Sequence, residues 1–338
     1  MKNYDFAYHI TNFLTVYLPR QRNASQNTIL SYRDTFSNLL LFCQEERGIT
    51  PEKLRFGKID AKLIEDFMLW LESSQSASAS TRNQRLAAIR SFFRYLQIEA
   101  PAHLLLSQSV LALKRARKAK PVMKYMTHDE TKILFDAPDA NDWDERRDLA
   151  LLYLLYDSAA RVQEICDVAV ADLYTESPAT VKLTGKGRKA RIVPLSTAVA
   201  MLLRQYVGER GLNASGKTTQ PLFTNRQGKK LTRGGVSYIL HKYIDRVNEA
   251  ASDTLPNDIT PHCLRHSKSM HLLESGVNLI YIRDFLGHED VKTTQVYAKA
   301  NPELKRDAIL KASADSTAPQ LPAWQDNPGL MKFLKALG

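Results

Sequence analysis

The stretch that decides the fold of this chain is TPHCLRHSKSMHLLESGVNLIYIRDFLGHEDVKTTQVY, residues 260–297. Its apolar residues recur at helical spacing, and two glycines divide it into helices that we place at 262–275, 278–285 and 291–298. Among its side chains are the imidazoles of His262 and His288, the guanidinium of Arg265 and the phenol of Tyr297. These are the groups that a phosphate-transfer site needs if it uses no metal. His262 and Arg265 stand three residues apart, so both can face one ligand.

Two further cations precede this stretch. Arg161 follows a break of small residues after an apolar helix, at a point where that helix would not need a guanidinium. Lys186 lies between two glycines at the tip of a predicted antiparallel hairpin, where its side chain can reach outward. The other elements that we predict here are helices at 148–157, 161–168, 196–208 and 232–250, hairpin strands at 180–184 and 191–195, and a third short strand at 221–224.

The first third of the chain predicts a helical bundle. We expect helices at 28–46, after an Asp60 N-cap, at 81–97 and near 103–113. The helix at 81–97 carries a row of arginines beside its apolar face. A solvated surface and a DNA-contacting surface explain this row equally well. The row consists of Arg82, Arg85, Arg90 and Arg94.

A basic segment followed by a helix start marks the domain boundary. Residues 114–124 carry six basic residues and no acid, among them Lys114, Arg115, Arg117, Lys118 and Lys120. Thr127 and Glu130 have the spacing of a capping box that opens a new helix. We therefore predict a mainly α fold with a small antiparallel β-sheet. Its parts are a helical domain 1–113, a linker 114–126, a second domain 127–314 and a tail 315–338 ending in a short amphipathic helix at 329–337.

Composition limits the class of protein. The 338 residues suit two domains, and no apolar run reaches the length of a membrane span. The formal net charge is +11, from 47 Lys and Arg against 36 Asp and Glu. A general basic surface would explain this charge, but the clustering at 114–124 favours a nucleic-acid partner. The three cysteines are far apart and odd in number, which indicates a reducing compartment without disulfides.

Four other kinds of chemistry lack their sequence signatures. The chain has neither a GxxxxGK[ST] nor a GxGxxG motif for nucleotides, and no GxSxG serine elbow. His262 and His266 stand four residues apart, but the glutamate of HExxH is missing because position 263 is Cys263. No acidic cluster suits a two-metal nuclease. We therefore expect neither a metal nor a cofactor.

The candidate residues taken together resemble the tyrosine recombinases, also called the integrase family. Each alone has an ordinary explanation: Lys186 could serve turn solubility, and Tyr297 is one of 14 tyrosines. The family pattern reads G-L-R-x-x-E, a Gly-Lys-Gly hairpin before Val-Pro-Leu, H-x-L-R-H, L-G-H, and a Tyr nine residues later. Here the corresponding segments are AARVQE at 159–164, GKG at 185–187 with VPL at 193–195, HCLRH at 262–266, LGH at 286–288, and Tyr297. Ala159-Ala160 replaces Gly-Leu, and no histidine stands two positions after Tyr297.

The resemblance covers residues 127 to 312 and, more weakly, the helical N-terminal domain, which is similar to the family's SAM-like core-binding domain. It implies a DNA breaking-rejoining catalytic domain in which Tyr297 attacks a phosphodiester to form a 3′-phosphotyrosyl link. Arg161 and Arg265 would stabilise the transition state, and His262 would accept the tyrosine proton. Lys186 would protonate the leaving oxygen, and His288 would hydrogen-bond the phosphate. Glu164 would orient local groups rather than react.

The resemblance also implies partners. They are double-stranded DNA, three further copies of the chain in a tetrameric synaptic complex, and in some systems a second recombinase or accessory protein. In view of the resemblance, we predict that the arginine row of helix 81–97 and the basic residues named at 114–120 contact the DNA. The tail helix would be exchanged between protomers, and the protein would act in the cytoplasm at the nucleoid. The short N-terminus leaves no room for an arm-binding domain, which suggests an Xer-like or mobile-element recombinase. Two alternatives stay open, a type IB topoisomerase-like relaxing enzyme and a non-catalytic architectural DNA-binding protein.

Overall fold

The structure is a computed structural model that describes residues 5–117, 123–185, 187, 189–214, 216–252, 254–288, 290–300, 329, 332, 335 and 336. The chain divides into two units, residues 1–121 and 122–338, each with its own apolar core. The division falls inside the predicted linker 114–126. Among the described helices, none is both long and apolar enough to cross a bilayer.

The first unit is a helical bundle around a core of aromatic rings. Phe13, Phe36 and Phe92 lie mutually edge to face in it, with ring centroids 5.3 to 6.2 Å apart. Helix α1 continues directly into a π-helical segment at Phe13–Gln21, which adds an element to the predicted bundle. The helices are α1 (Phe6–Asn12), α2 (Gln26–Arg47), α3 (Ala61–Ser73), α4 (Ala79–Glu99) and α5 (Leu104–Ala112).

Local capping explains where these helices begin and end. The Asp60 carboxylate accepts a 2.7 Å hydrogen bond from the Leu63 amide and caps α3, as predicted. Gly48 follows α2 in the left-handed region, with φ of 61°, and ends that helix. The helices predicted at 28–46, 81–97 and 103–113 are therefore confirmed, with ends that shift by one to two residues.

The second unit is mostly helical and begins with the predicted capping box. The Glu130 amide donates to the Thr127 hydroxyl at 3.1 Å, and the Thr127 amide donates to the Glu130 carboxylate at 2.7 Å. The helices are α6 (His128–Asp136), α7 (Trp143–Asp157), α8 (Val162–Asp167), α9 (Thr197–Glu209), α10 (Arg233–Ala250), α11 (Pro261–Glu274), α12 (Leu279–Leu286) and α13 (Val291–Ala300). The three helices predicted for residues 260–297 are α11, α12 and α13.

A three-stranded antiparallel sheet in the order β1-β2-β3 packs against this unit's core. The strands are β1 (Leu173–Tyr174), β2 (Thr180–Thr184) and β3 (Ala190–Pro194). The predicted hairpin is confirmed, and its register pairs Val181 with Val193. The strand predicted at 221–224 is wrong. That stretch makes only an isolated bridge at each end, and Leu222 and Phe223 are apolar because they fill the core. The third strand is β1.

The tail helix predicted at 329–337 lies almost wholly outside the described residues.

Candidate active site

Arg161 lies at the N-terminal end of α8, directly after the break that ends α7. Ala159 in this break adopts φ of 45°, the left-handed conformation that glycine usually supplies. The Arg161 guanidinium donates to one Glu164 oxygen at 2.8 Å, and its backbone amide donates to the other at 2.8 Å. Because 40% of the Arg161 side-chain surface is exposed, part of the guanidinium can still meet a ligand.

Glu164 also binds a second guanidinium, that of Arg191 on β3. The two terminal nitrogens of Arg191 each donate to a Glu164 oxygen at 2.8 Å. Its Nε donates to the Phe285 carbonyl near the end of α12, at 3.1 Å. Glu164 is 2% exposed. Burial alone would raise the pKa of Glu164, but hydrogen bonds from Arg191 and from Arg161 outweigh it and lower the pKa to about 2.

Arg265 is almost fully enclosed, with 1% of its surface exposed. It donates to the Ala159 carbonyl at 2.6 Å and to the Leu286 carbonyl at 2.7 Å. Its Nη2 also lies 3.0 Å from His288 Nε2. Helix α11 thus carries one guanidinium that joins the break before Arg161 to the end of α12. Burial, then Arg161 and Arg191, lower its pKa to about 10, so the group remains cationic at neutral pH.

His288 is held at both ring nitrogens. Its Nδ1 lies 3.0 Å from the buried Thr294 hydroxyl of α13, and its Nε2 faces Arg265. Gly287 ends α12 in the left-handed region, with φ of 63°, and this turn directs the chain into the site. Burial, then the cations Arg265, Arg161 and Arg191, lower the pKa of His288 to about 4. The ring is therefore neutral at physiological pH.

Tyr297 on α13 is buried, with 1% of its surface exposed, in the cluster that also contains Ala159, Ile282 and Leu286. Its hydroxyl lies 3.0 Å from His266 Nδ1. Burial raises the pKa of Tyr297, while a Ser269 hydrogen bond and then Arg265 and Arg161 act in the opposite direction. The phenol is therefore protonated at neutral pH, and attack by its oxygen would require a base that accepts this proton.

The histidine next to the Tyr297 hydroxyl is His266 rather than His262. Burial lowers the pKa of His266 to about 4, with further lowering by His262 and Arg265, so its ring is a neutral acceptor. His262 is exposed, and its ring lies edge-on against His266 with centroids 4.4 Å apart. Partial desolvation of the His262 ring, and then the charges of Arg265 and Arg161, lower the pKa of His262 as well. Lys186 lies outside the described residues.

The site joins side chains from four separate parts of the second unit. Arg161 and Arg265 supply positive charge and hydrogen-bond donors, the neutral His288 ring accepts from Arg265, and Tyr297 offers a phenolic oxygen. Such a set suits phosphoryl transfer to tyrosine, because charge that develops on a phosphate is met by fixed donors. The fold and these side chains match what is expected of a class of enzyme that transfers a phosphoryl group to one of its own tyrosines.

Two residues of this site went unassigned in the sequence, Arg191 and His266. Alternation along β3 places Arg191 on the same side as buried Val193, opposite the exposed Ile192. An arginine on the inward side of a strand indicates a buried anionic partner. The alternation along residues 190–194 could therefore have predicted such a partner for Arg191 from the sequence. His266 stands in the quoted HCLRH motif, but only the fold shows that it faces Tyr297.

Three of the four arginines predicted to contact DNA in α4 have internal partners. Both terminal nitrogens of Arg82 bind Glu72, at 2.6 and 2.7 Å. Arg85 binds the Ser31 carbonyl and Arg90 the Leu111 carbonyl, whereas Arg94 is exposed. In the segment after α5, the Asn83 amide holds Ala116 through two hydrogen bonds of 2.9 Å. Lys114, Arg115 and Arg117 are described there, and Lys118 and Lys120 lie outside the described residues.

A second cluster of titratable groups lies away from this site. Potential ligand atoms of His128, His271 and Glu274 lie within 4.8 Å of one another. The His271 ring, however, already has a partner at each nitrogen, Tyr156 at 2.6 Å and the Met126 carbonyl at 3.0 Å. A ring bonded at both nitrogens has no lone pair free for a metal.

Comparison with known proteins gives the family. The model of the phage integrase family matches residues 124–303, and that of the phage integrase N-terminal SAM-like domain matches residues 10–100. A Sinorhizobium fredii protein provisionally named integrase/recombinase y4rC is 37% identical over 99% of both chains. Tyrosine recombinase XerC of Pelotomaculum thermopropionicum is 32% identical over 90% of this chain and 97% of its own. The chain belongs to the phage integrase family, that of the tyrosine recombinases.

Solved structures support the same fold. XerH recombinase in a post-cleavage complex with palindromic difH substrate superposes with a TM-score of 0.66 at 19% identity, covering 87% of this chain and 81% of its own. The Tn1549 transposon integrase bound to transposon right-end DNA gives 0.66 at 17% identity, covering 89% and 98%. The mainly α fold with a small antiparallel sheet is confirmed.

Proposed function

We propose that this protein is a site-specific DNA recombinase that cuts and rejoins strands through a 3′-phosphotyrosyl intermediate on Tyr297. The observation that supports this most strongly is the meeting of three parts of the chain at α11. His288, from the turn after α12, lies against the buried Arg265 guanidinium, and Tyr297 of α13 lies against His266. An isolated structural arginine would need its carbonyl partners alone. Solved neighbours bound to difH substrate and to transposon right-end DNA support the substrate class, DNA.

The first chemical step is attack by the Tyr297 oxygen on the scissile phosphorus. A bond forms between that oxygen and phosphorus, and the bond from phosphorus to the 5′-oxygen breaks. Negative charge on the non-bridging oxygens is met by Arg161, through its exposed edge, and by Arg265. The covalent link keeps the bond energy, so rejoining requires only that a 5′-hydroxyl attack the phosphotyrosine.

Two protons move in this step. The Tyr297 proton leaves toward His266, which holds the hydroxyl at 3.0 Å, and His262 beside it is the next base in line. Lys186 gives a proton to the departing 5′-oxygen. His288 hydrogen-bonds the phosphate through Nε2 once the phosphate replaces the contact of that atom with Arg265 and the ring carries its proton there. Thr294 then orients the ring at Nδ1, and Glu164 fixes Arg161 without reacting.

The larger assembly follows from recombination itself. Exchange between two duplexes requires four active sites, so we propose a tetramer on DNA in which residues 329–337 dock on a neighbouring protomer. Basic residues of α4 and of segment 114–124 would contact phosphates, and the protein would act in the cytoplasm at the nucleoid. A second recombinase or an accessory protein is a further candidate partner.

A covalent trapping experiment tests the enzyme. A pool of nicked duplexes with a randomised core is incubated with the protein, and DNA that remains attached under denaturing conditions is sequenced. The recovered duplex then serves as substrate. We expect a covalent adduct with the wild type and none with Tyr297→Phe, which lacks only the attacking oxygen. Both proteins should bind the duplex equally, since the substitution leaves the ring in place.

The two alternative functions, a relaxing enzyme and an architectural DNA-binding protein, predict different outcomes. A relaxing enzyme would form the adduct and remove supercoils, but would not exchange strands on a plasmid that carries two copies of the recovered duplex. An architectural protein would bind DNA without any adduct. Exchange between the two copies, lost in Tyr297→Phe, would leave only the recombinase.

A further inference from the structure

Arg191 has no place in the chemistry above, although it contacts three parts of the site. It binds both oxygens of Glu164 and donates to the Phe285 carbonyl. Its side chain also lies against Gly287, since a Cβ added there would come within 3.0 Å of Arg191 Cδ. Gly287 immediately precedes His288. One side chain therefore joins β3 to the carboxylate that holds Arg161 and to the turn that carries His288.

The charges of this group are unequal. One buried carboxylate, that of Glu164, faces two guanidiniums, so the trio carries a net charge of +1. The fork of Arg191 uses both oxygens, which leaves Arg161 a single side-chain hydrogen bond, to Oε1. Among the described residues, Glu164 is the only hydrogen-bond partner of the Arg161 guanidinium. The remaining donors of Arg161 lie on the exposed edge.

Removal of Arg191 would change this balance. A buried carboxylate without its partner is costly, and Glu164 would turn to the nearest cation. Arg161 is that cation, and a bidentate fork between the two would neutralise both charges. Arg161 would then have to leave a tight ion pair in order to meet a phosphate.

We propose that Arg191 is a positioning residue that occupies Glu164 so that the Arg161 guanidinium keeps hydrogen-bond donors available to the scissile phosphate. This role rests on the proposed function, because it concerns the same site. Arg191 acts through Arg161 and through the turn before His288, and it does not itself touch the DNA. Gly185 leaves room for the Glu164 carboxylate in this position, since a Cβ at residue 185 would lie 3.0 Å from Glu164 Oε1.

The chain offers a closely matched control in Arg147. Its side chain is 13% exposed, as is that of Arg191, and its carboxylate partner Asp148 is 2% exposed, as is Glu164. Two Arg147 nitrogens bind Asp148, at 3.0 and 2.6 Å, and a third donates to the Thr224 carbonyl at 3.1 Å. Arg147 thus makes the same kinds of bond outside the site.

The experiment measures the rate of adduct formation on the trapped duplex at saturating DNA. Arg191→Gln should slow this rate by about 10- to 100-fold, because the electrostatic help of one guanidinium is withdrawn. Arg147→Gln should change it by less than about threefold, since a similar loss of stability does not reach the reacting atoms. Binding of the duplex should stay the same in both variants.

A double variant separates positioning from stability. In Glu164→Gln/Arg191→Gln the carboxylate that captures Arg161 is gone, so the rate should recover to within about tenfold of wild type. The same variant leaves no unpaired buried charge and therefore keeps the fold if Arg191→Gln alone unfolds. A double variant no faster than Arg191→Gln, or an Arg191→Gln rate equal to that of Arg147→Gln, would overturn the proposal. Failure of the wild type to form an adduct would instead reject the recombinase function.

Discussion

Arginines in the two units make similar bonds with different results. In α4, Arg82 forms a one-to-one fork with Glu72, and Arg90 donates to the Leu111 carbonyl. In the second unit, two arginines share the single carboxylate of Glu164, and Arg265 donates to two carbonyls and also faces His288. In the first unit the Arg82–Glu72 pair is balanced in charge. In the second unit the shared carboxylate leaves a net positive charge in the site that also contains Tyr297.

This difference shows which arginines can act on a substrate. A guanidinium has five donors, and what matters is how many remain after the fold has used its share. Arg82 uses both terminal nitrogens on Glu72, Arg90 uses one on the Leu111 carbonyl, and the Nε atoms of both are buried without a partner. Arg161 keeps an exposed edge because Arg191 takes the carboxylate. The same residue type therefore stabilises one unit and prepares the other for chemistry.

The largest effect that would test this contrast is expected at Arg265. Lysine has one compact ammonium and cannot hold the Ala159 carbonyl, the Leu286 carbonyl and His288 together. Arg265→Lys should therefore lower the rate of adduct formation by about 100- to 1,000-fold, as loss of a key transition-state donor does. Single-turnover trapping measures it. Arg147→Lys is the control, and an equal loss in both variants would remove the distinction.

A smaller effect should separate two arginines of α4. Arg90→Met removes a bond to the Leu111 carbonyl, so amide exchange in α4 should show a stability loss of about 1 kcal/mol. Arg94→Met should leave exchange unchanged, because that side chain is exposed. If Arg94 meets a phosphate, its loss should reduce the salt slope of DNA binding by about 1. A salt slope lowered by Arg90→Met instead would reverse the assignment.

The smallest effect is the response of the second unit to acid. His266 and His288 have pKa values lowered from 6.5 to about 4 by the fold, first through burial. The unfolded chain therefore binds more protons between these pH values, so stability is full above pH 6.5 and falls toward pH 4. Melting followed by circular dichroism should show this decline. His266→Gln should make it shallower, whereas an unchanged slope would contradict the assignment.

Much of the fold could be predicted because its signals are local. Asp60 and Thr127 indicate helix starts, because their side chains accept hydrogen bonds from amides three residues later. Gly48 indicates a helix end, because glycine readily adopts the left-handed conformation found there. The strand predicted at 221–224 was wrong for the opposite reason. Apolar residues there fill the core, and whether such a run joins a sheet depends on a partner elsewhere in the chain.

The residues of the site likewise fall into those that a local motif indicates and those that depend on distant partners. Motif spacing pointed to Arg161, Arg265, His288 and Tyr297, and their roles stay predictions that the geometry supports. The roles of Arg191 and His266 depend on partners 27 and 31 residues away in sequence, which no local pattern reveals. The alternation along β3 indicates that Arg191 faces inward, but only the fold shows that Glu164 is its partner.

The shared carboxylate also bears on how such chains diverge over evolution. A descendant that no longer cuts DNA is free to lose Arg161, because Glu164 and Arg191 remain as a balanced pair. A descendant that loses Arg191 first keeps a stable ion pair but inherits a disabled Arg161. Inactive descendants should therefore keep the glutamate at position 164 and the arginine at position 191 together after the arginine at position 161 has been replaced. A comparison of their sequences would show this order of loss.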